Sequence, residues 1–394
     1  MKIIDVDVYT VDPAKNGTPN SVEYPDIWTF VRVRTDEGLY GWGECTNFPG
    51  NGSLMIADAI HHLKPWIIGE DAHDINAMWH RIFRKAAYLG PRGLPTAVVS
   101  GLDIALWDIK GKVTGRPIYD LLGGKVRPSI PTYANAWFFA LDGFSAAATP
   151  EEYGAAAKRA VAKGHTVLKC DPFLEMNQYH TGYLAGQISP EGEDFGVNVI
   201  AAIREAVGPS IGVLLDAHGH YNVPTCVRIC RRLEPYNLGW FEEPTPPESI
   251  QALRAIRDQV NIPICVGERL YTRHDFLPLL EQHLTDYIMP DVVWTGGISE
   301  LLRIATLAEA YHVPISPHNA MGPLQVLAGA HTMMTVPNLY RLEHNIANYG
   351  NYNRFIDHPL DFRGDQLFLS ERPGLGVDFD VEMLEAHSVY RRPA

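Results

Sequence analysis

The chain has 394 residues, 46% apolar and 20% charged, an ordinary balance for a globular protein with room for two domains. Its formal net charge of −13 argues against a nucleic-acid partner, which calls for clustered Lys and Arg, but not against a small anion met by a local basic group or a metal. No apolar run reaches the roughly 18 residues that cross a bilayer, and MKIIDVDVYTVDP carries acidic residues where a secretory leader has its apolar stretch, so no membrane partner and a cytoplasmic location are expected.

Taken in chain order, IIDVDVYTV and TFVRVRT alternate as strands, and RTDEGLYGWGE adds a turn at Asp36-Glu37-Gly38. Residues 12–26 and 46–53 read as loops. Across 54–122 the apolar period changes to three and four, which predicts helices. Residues 1–125 therefore form an α+β domain. From 126 to 371 short apolar strands alternate with helical stretches: 130–136, 166–171, 212–218, 238–244, 262–268, 286–291, 313–318 and 339–344. Eight such strands predict an α/β fold with a parallel sheet buried on both faces, closed as a (β/α)7β variant of the TIM barrel. An open doubly wound sheet lacks support, because no G-x-G-x-x-G follows the first strand. The polar connection 172–196 is expected to be a lid. The tail, 372–394, restarts strand-like alternation and is expected to return to the first domain.

Five cysteines (Cys45, Cys170, Cys226, Cys230, Cys265) include no C-x-x-C, which points to buried thiols rather than disulfides or zinc. The informative spacing belongs to carboxylates. Asp216, Glu242 and Glu268 stand 26 residues apart, at the ends of three consecutive strands. In a barrel these ends converge at the mouth, where active sites form. Three carboxylates in one pocket repel unless a cation sits among them, and hard oxygen donors suit Mg²⁺. The alternative is three separate strand-end ion pairs.

His218, two residues after Asp216, is expected to face the same mouth. His318 ends the seventh strand and Asp291 the sixth; a carboxylate beside an imidazole fixes its tautomer and raises its basicity. Each histidine also has a purely structural reading. Lys169 and Asp171 share a face of the second strand, with Cys170 turned toward the helices. Lys169 could offset a bound carboxylate or pair with a rim acid. Glu343 ends the eighth strand.

With these residues in place, the chain resembles the enolase superfamily, in particular its mandelate-racemase-like group. The resemblance spans nearly the whole length: the GWGE hairpin, SGLDIALWDIKGKVTGRPIYDLLGG, the D…E…E series, GGISE, the Asp–His pair and PGLGV. LKCDPF, DAHGHYN, WFEEP, VGERL and SPHNAMGP are similar to the acid-sugar dehydratases of galactonate and gluconate type. The resemblance implies Mg²⁺ on Asp216, Glu242 and Glu268, and His318 oriented by Asp291 as the base at C2. It implies His218 as the acid for the departing 3-hydroxyl, Lys169 on the substrate carboxylate, and Glu343 supporting the enolate or a hydroxyl. It also implies a first domain that caps the mouth through loops near 15–25 and 46–53, and a homo-oligomer from dimer to octamer. Racemases of the group carry K-x-K where this chain has Lys169-Cys170-Asp171, so the second base is lost and dehydration is favoured over racemisation.

The expected activity is thus dehydration of an aldonate to a 2-keto-3-deoxy acid. An epimerase or cycloisomerase using the same enolate, or a metabolite-binding protein without turnover, are the alternatives. Asp171, Phe173, Tyr221, Asn222 and Asn319 are candidate substrate contacts, the last four equally candidates for packing.

Overall fold

The computed structural model describes residues 1–13, 27–47, 50–173 and 186–389. The loop expected at 15–25, residues 48 and 49 of the loop expected at 46–53, residues 174–185 of the expected lid and residues 390–394 of the tail lie outside the described residues.

The first strands form an antiparallel meander of β1 (Ile3–Val11), β2 (Trp28–Thr35) and β3 (Tyr40–Glu44). Its alternation sorts side chains onto two faces. Val31 and Val33 bury with Val6 against helices α1 (Gly50–Leu63), α2 (Ile75–Lys85) and α3 (Leu94–Thr114). Trp28, Phe30 and Trp42 turn the other way, onto Tyr352, Phe355 and Phe379 of the C-terminal part. The expected loop at 46–53 is shorter than read, because α1 starts at Gly50.

Helix α3 is buried along most of its length, lying between β3 and the barrel. Its approach to β3 dictates the G-W-G of that strand: a Cβ at Gly43 would lie 1.9 Å from the carbonyl oxygen of Gly101, and one at Gly41 would lie 2.1 Å from that of Ala105. The short α4 (Ile118–Leu121) leads to the barrel.

Seven barrel strands are parallel neighbours in the order β10–β4–β5–β6–β7–β8–β9. They are β4 (Ile130–Asn135), β5 (Val167–Cys170), β6 (Gly212–Asp216), β7 (Trp240–Glu242), β8 (Ile264–Val266), β9 (Tyr287–Ile288) and β10 (Leu342–Asn345). Helices α5 (Pro150–Ala162), α6 (Pro190–Val207), α7 (Val223–Leu233), α8 (Ile250–Arg257), α9 (Thr272–Glu281), α10 (Gly297–Ala310) and α11 (Pro323–Met333) connect them. Hydroxyl or amide side chains at Thr149, Ser189, Asn222 and Ser249 accept a first-turn N–H of the helix that follows, which satisfies donors a helix start leaves open.

The seventh strand expected at 313–318 is not a continuous strand. It joins its neighbours by isolated parallel bridges, Ile288 with Ile315, Ile315 with Leu339 and Asp291 with His318. Pro314 and Pro317 have no N–H to give the ladder, so the barrel is not closed by a complete ladder at this place. The sheet also gains an antiparallel edge absent from the sequence reading: β11 (Asp361–Arg363) pairs with β12 (Gln366–Phe368), and β12 pairs with β4. Helix α12 (Tyr349–Phe355) precedes that hairpin.

The tail returns to the first sheet, with Val11 bridged to Ser388 and Asp378 accepting from Tyr40 Oη and Trp42 Nε1. Its strand-like alternation is misleading, because Val381–Ala386 forms helix α13. Asp380 caps it by accepting the Met383 N–H, and Glu382 favours the first turn through the helix dipole.

Inside the barrel, Tyr133, Leu214, Trp240, Cys265 and Met289 form a plug, with Tyr133 edge-on to Trp240 at 5.5 Å. Two residues further along the same strands stand Asn135, Asp216 and Glu242. The apolar layer is therefore the floor on which a polar layer rests. All five cysteines are buried free thiols. Among the described residues no helix is long and apolar enough to cross a membrane.

Candidate active site

Asp216 and Glu242 are the last residues of β6 and β7 and are register partners in the parallel ladder. Glu268 lies beyond β8, after Gly267, whose φ of 141° is open to glycine and strained for other residues. Ligand-capable oxygens of the three lie within 4.8 Å of one another. All three side chains are buried. A second such set, Asp171, Asp216 and His218, shares Asp216.

Lys169 is buried to 1% exposure among these acids, its Nζ 2.7 Å from Glu242, 2.9 Å from Glu343 and 3.4 Å from Asp216. Burial opposes its charge, but Glu242 and Glu343 outweigh it and raise the ammonium's pKa well above the ordinary value. Burial and then the charge of Asp216 drive Glu242 upward, against the pull of Lys169; its second oxygen accepts the Trp240 indole N–H at 2.8 Å. Burial also acts against Asp216, yet His218 and Lys169 bring it below the usual carboxylate range. Asp216, Glu242 and Glu268 bring carboxylate oxygens to one buried place. That donor set, all hard oxygen, fits a divalent cation.

His318 Nδ1 lies 2.6 Å from Asp291 Oδ2, and its Nε2 lies 3.5 Å from Glu268. Burial works against its charge, but the Asp291 hydrogen bond and the charges of Glu343 and Glu268 push it up to about 9. Asp291 is itself fixed by the Val293 N–H on its other oxygen, at 2.8 Å. Glu343 accepts from Asn135 at 2.7 Å and from the Asn319 N–H at 2.9 Å.

His218 sits near Asp216 for a reason other than strand alternation. The strand ends at Asp216, and His218 occupies a left-handed turn with φ 48°. Its N–H donates to Asp216 Oδ1 at 2.8 Å, and its Nε2 lies 3.4 Å from Oδ2. Asp171 faces this pair; burial, opposed by His218, lifts it to about 6.

The candidate substrate contacts divide. Asn319 is buried against Glu343, with its Nδ2 donating to the Glu343 carbonyl at 2.8 Å. Phe173 packs edge-on to Tyr221 at 5.7 Å and against Gly196 of α6. Asn222 uses its side-chain oxygen to accept the Thr225 N–H at the start of α7. Phe173, Tyr221 and Asn222 thus take packing or capping positions.

Residues missed from the sequence include Asn135, Glu243, Trp294 and Gln325. Asn135 was findable, since it shares a strand face with Tyr133 at a barrel strand end. Glu243 stands at φ 41° and accepts the Gly267 N–H at 2.7 Å, so it shapes the turn that aims Glu268; the Glu-Glu doublet was its signal. Trp294 and Gln325 carried no local signal.

Both parts of the chain match known families. Residues 6–123 match the Mandelate racemase / muconate lactonizing enzyme, N-terminal domain family, and residues 152–383 match the Enolase C-terminal domain-like family. A D-gluconate dehydratase of Thermoproteus tenax is 32% identical over 91% of this chain and 69% of its own. A D-galactonate dehydratase of Ralstonia pickettii (strain 12J) is 34% identical over 91% of each chain. A solved structure described as a member of the enolase superfamily from Salmonella Typhimurium superposes with a TM-score of 0.89 at 30% identity, covering 98% of both chains. A polar layer of carboxylates on an α/β barrel, closed by an α+β domain and matched over both parts, places this chain in the enolase superfamily, within its mandelate racemase / muconate lactonizing enzyme group.

Proposed function

We propose that this chain is a Mg²⁺-dependent dehydratase of an aldonic acid, with residues 1–125 as the cap, 126–371 as the catalytic barrel and 372–394 as the strap that joins them. The observation that carries the reading is the placement of His318, backed by Asp291, and of His218 on either side of the Asp216–Glu242–Glu268 cluster. The dehydratase names of the relatives support it.

Asp216, Glu242 and Glu268 would hold the ion. When bound, Mg²⁺ supplies positive charge where the substrate carboxylate becomes an enediolate, usually a large share of catalysis. In its neutral form His318 takes the C2 proton on Nε2, because Asp291 holds the proton of Nδ1. Lys169 adds positive charge beside the substrate carboxylate; its 3.4 Å contact to Asp216 is the longest of its three and the one a substrate oxygen would replace. His218 gives a proton to the 3-hydroxyl as the C3–O bond breaks, so water leaves instead of hydroxide. The remaining enol tautomerises to the 2-keto-3-deoxy acid. Asp171, in place of a second lysine, leaves the opposite face of C2 without the base that racemisation needs.

The test is incubation of an aldonate panel with the protein, with Mg²⁺ or after chelation, and analysis for 2-keto-3-deoxy product. A product that keeps its 3-hydroxyl would assign the epimerase reading instead.

A further inference from the structure

The cap reaches the Asp291–His318 pair through a continuous set of hydrogen bonds that the proposed chemistry does not itself use. Glu44, the last residue of β3, is fully buried. Its Oε1 accepts from the Gly322 N–H and the Thr46 hydroxyl, both at 2.8 Å, and its Oε2 accepts the Gln325 N–H at 2.9 Å. Gln325, 1% exposed in the first turn of α11, turns its side chain back toward the site. Its Oε1 accepts the Met321 N–H at 2.6 Å, and its Nε2 donates at 2.5 Å to Asp291 Oδ2, the oxygen that faces His318 Nδ1. A second strut runs from the same cap segment. Trp294 Nε1 donates to the Thr46 carbonyl at 2.6 Å, while its ring lies 5.1 Å from that of His318. Gly322 is small for this purpose: a Cβ there would stand 2.6 Å from Glu44 Oε1.

We infer that Gln325 and Glu44 are positioning residues for the proposed base, making the alignment of His318 depend on the docking of β3 onto the barrel. Gln325 holds two things at once, the carboxylate of Asp291 and the backbone of the loop that carries His318. With its amide in place, Asp291 has one orientation that satisfies the Val293 N–H, the Gln325 amide and the imidazole together. Without it, Oδ2 keeps the imidazole as its single partner, and both can turn. A base misaligned by a fraction of an ångström still binds substrate but reacts poorly. The inference rests on the reading of His318 as the base.

The experiment compares Gln325→Leu, Gln325→Met and Glu44→Gln with wild type. It uses D-gluconate and D-galactonate with Mg²⁺, and follows kcat, KM and exchange of the C2 hydrogen with solvent deuterium. Gln325→Leu is expected to lower kcat and C2 exchange together by roughly 10- to 100-fold, with KM changed by no more than about two-fold. Gln325→Met keeps the length of the side chain but has no N–H to donate to Asp291, so it serves if the leucine variant does not fold and should show the same split. Glu44→Gln, which keeps one carbonyl acceptor, should lose less than either. In parallel, the His318 Nδ1–H proton resonance, assigned by its absence in His318→Asn, should move in the Gln325 variants. A folded Gln325 variant with wild-type kcat and an unmoved resonance overturns the inference, as does a loss that appears wholly in KM. If wild type dehydrates no aldonate of the wider panel, the dehydratase reading fails by itself, and the resonance alone decides whether Gln325 positions His318.

Discussion

His318 Nδ1 and Asp291 Oδ2 lie 2.6 Å apart, both side chains buried, at the ends of neighbouring barrel staves bridged at these same two residues. In the neutral imidazole the contact assigns the proton to Nδ1 and leaves Nε2 as the acceptor. Replacing His318 by Asn should abolish turnover and C2 exchange, a loss of at least about 10²- to 10⁴-fold. Replacing Asp291 by Asn should be nearly as severe in the intact fold, since an amide donating to Nδ1 moves the imidazole proton to Nε2. Solvent-deuterium exchange at C2, followed by NMR, checks both. Exchange at the wild-type rate in either variant removes the pair from proton abstraction.

His218 should separate elimination from proton abstraction. It stands on the Asp216 side of the carboxylate cluster and His318 on the Glu268 side. In His218→Asn, dehydration should fall by roughly 10²-fold or more while C2 exchange falls much less. Equal loss of both would mean that His218 acts before the C3–O bond breaks.

Three buried carboxylates with one lysine among them predict a cation effect on stability as well as on rate. Adding Mg²⁺ to chelator-treated protein should raise the unfolding temperature, with about 2.7 kcal/mol of stabilisation at one hundred times the dissociation constant. Asp216→Asn should erase that shift, because it removes a ligand shared by both acidic clusters. The variant itself should still fold, since Lys169 keeps its shorter contacts to Glu242 and Glu343. Scanning calorimetry across a Mg²⁺ titration checks this without any substrate. A shift of equal size in Asp216→Asn would place the ion elsewhere.

How far the sequence could be read depended on whether each feature was local. Asp216 and Glu242 were legible because an apolar strand that ends in an acid has a direction and an end, and parallel strands share that end. Glu268 was found by spacing, although its aim comes from the Gly267 turn. The proximity of His218 to Asp216 was anticipated from alternation that the structure replaces with a left-handed turn. The seventh stave looked like a strand by composition, but its prolines break the ladder. The contact of Gln325 with Glu44 was invisible because it joins residues 281 positions apart. The tail misled because a capped single turn of helix and a short strand look alike over six residues.

The approach of α3 to β3 gives a stability prediction in the cap. At Gly43 a new Cβ would meet the backbone carbonyl of Gly101 at 1.9 Å, where no side chain can rotate away. Gly43→Ala should therefore destabilise by about 3 kcal/mol or more, at the upper end of overpacking costs. Gly38→Ala is a useful control: its Cβ meets nothing within 4 Å, so the penalty there comes from φ 78° alone. Urea unfolding of the two variants should rank Gly43→Ala as the more damaging, and the reverse order would show that β3 can shift away from α3.

His331 makes stability fall on the acid side for reasons remote from the site. It lies in α11, stacked on Tyr119 at 5.3 Å, accepts the Tyr119 N–H on Nδ1 and donates from Nε2 to the Leu375 carbonyl. Burial depresses its pKa from 6.5 to about 4. An unfolded chain therefore takes up a proton below about 6.5, while the folded chain refuses it until about 4. The unfolded state gains on acidification, and stability rises again with pH through the same window. One such proton is worth about 3 kcal/mol across it. His331→Gln can keep both hydrogen bonds but has no such titration. At pH 7.5 the variant should be less stable than wild type through the lost stacking. The gap should narrow steadily between pH 6.5 and 4.5, measured by urea midpoints at fixed ionic strength. A gap that stays constant across that range would mean that the folded protein protonates His331 as readily as the unfolded chain does.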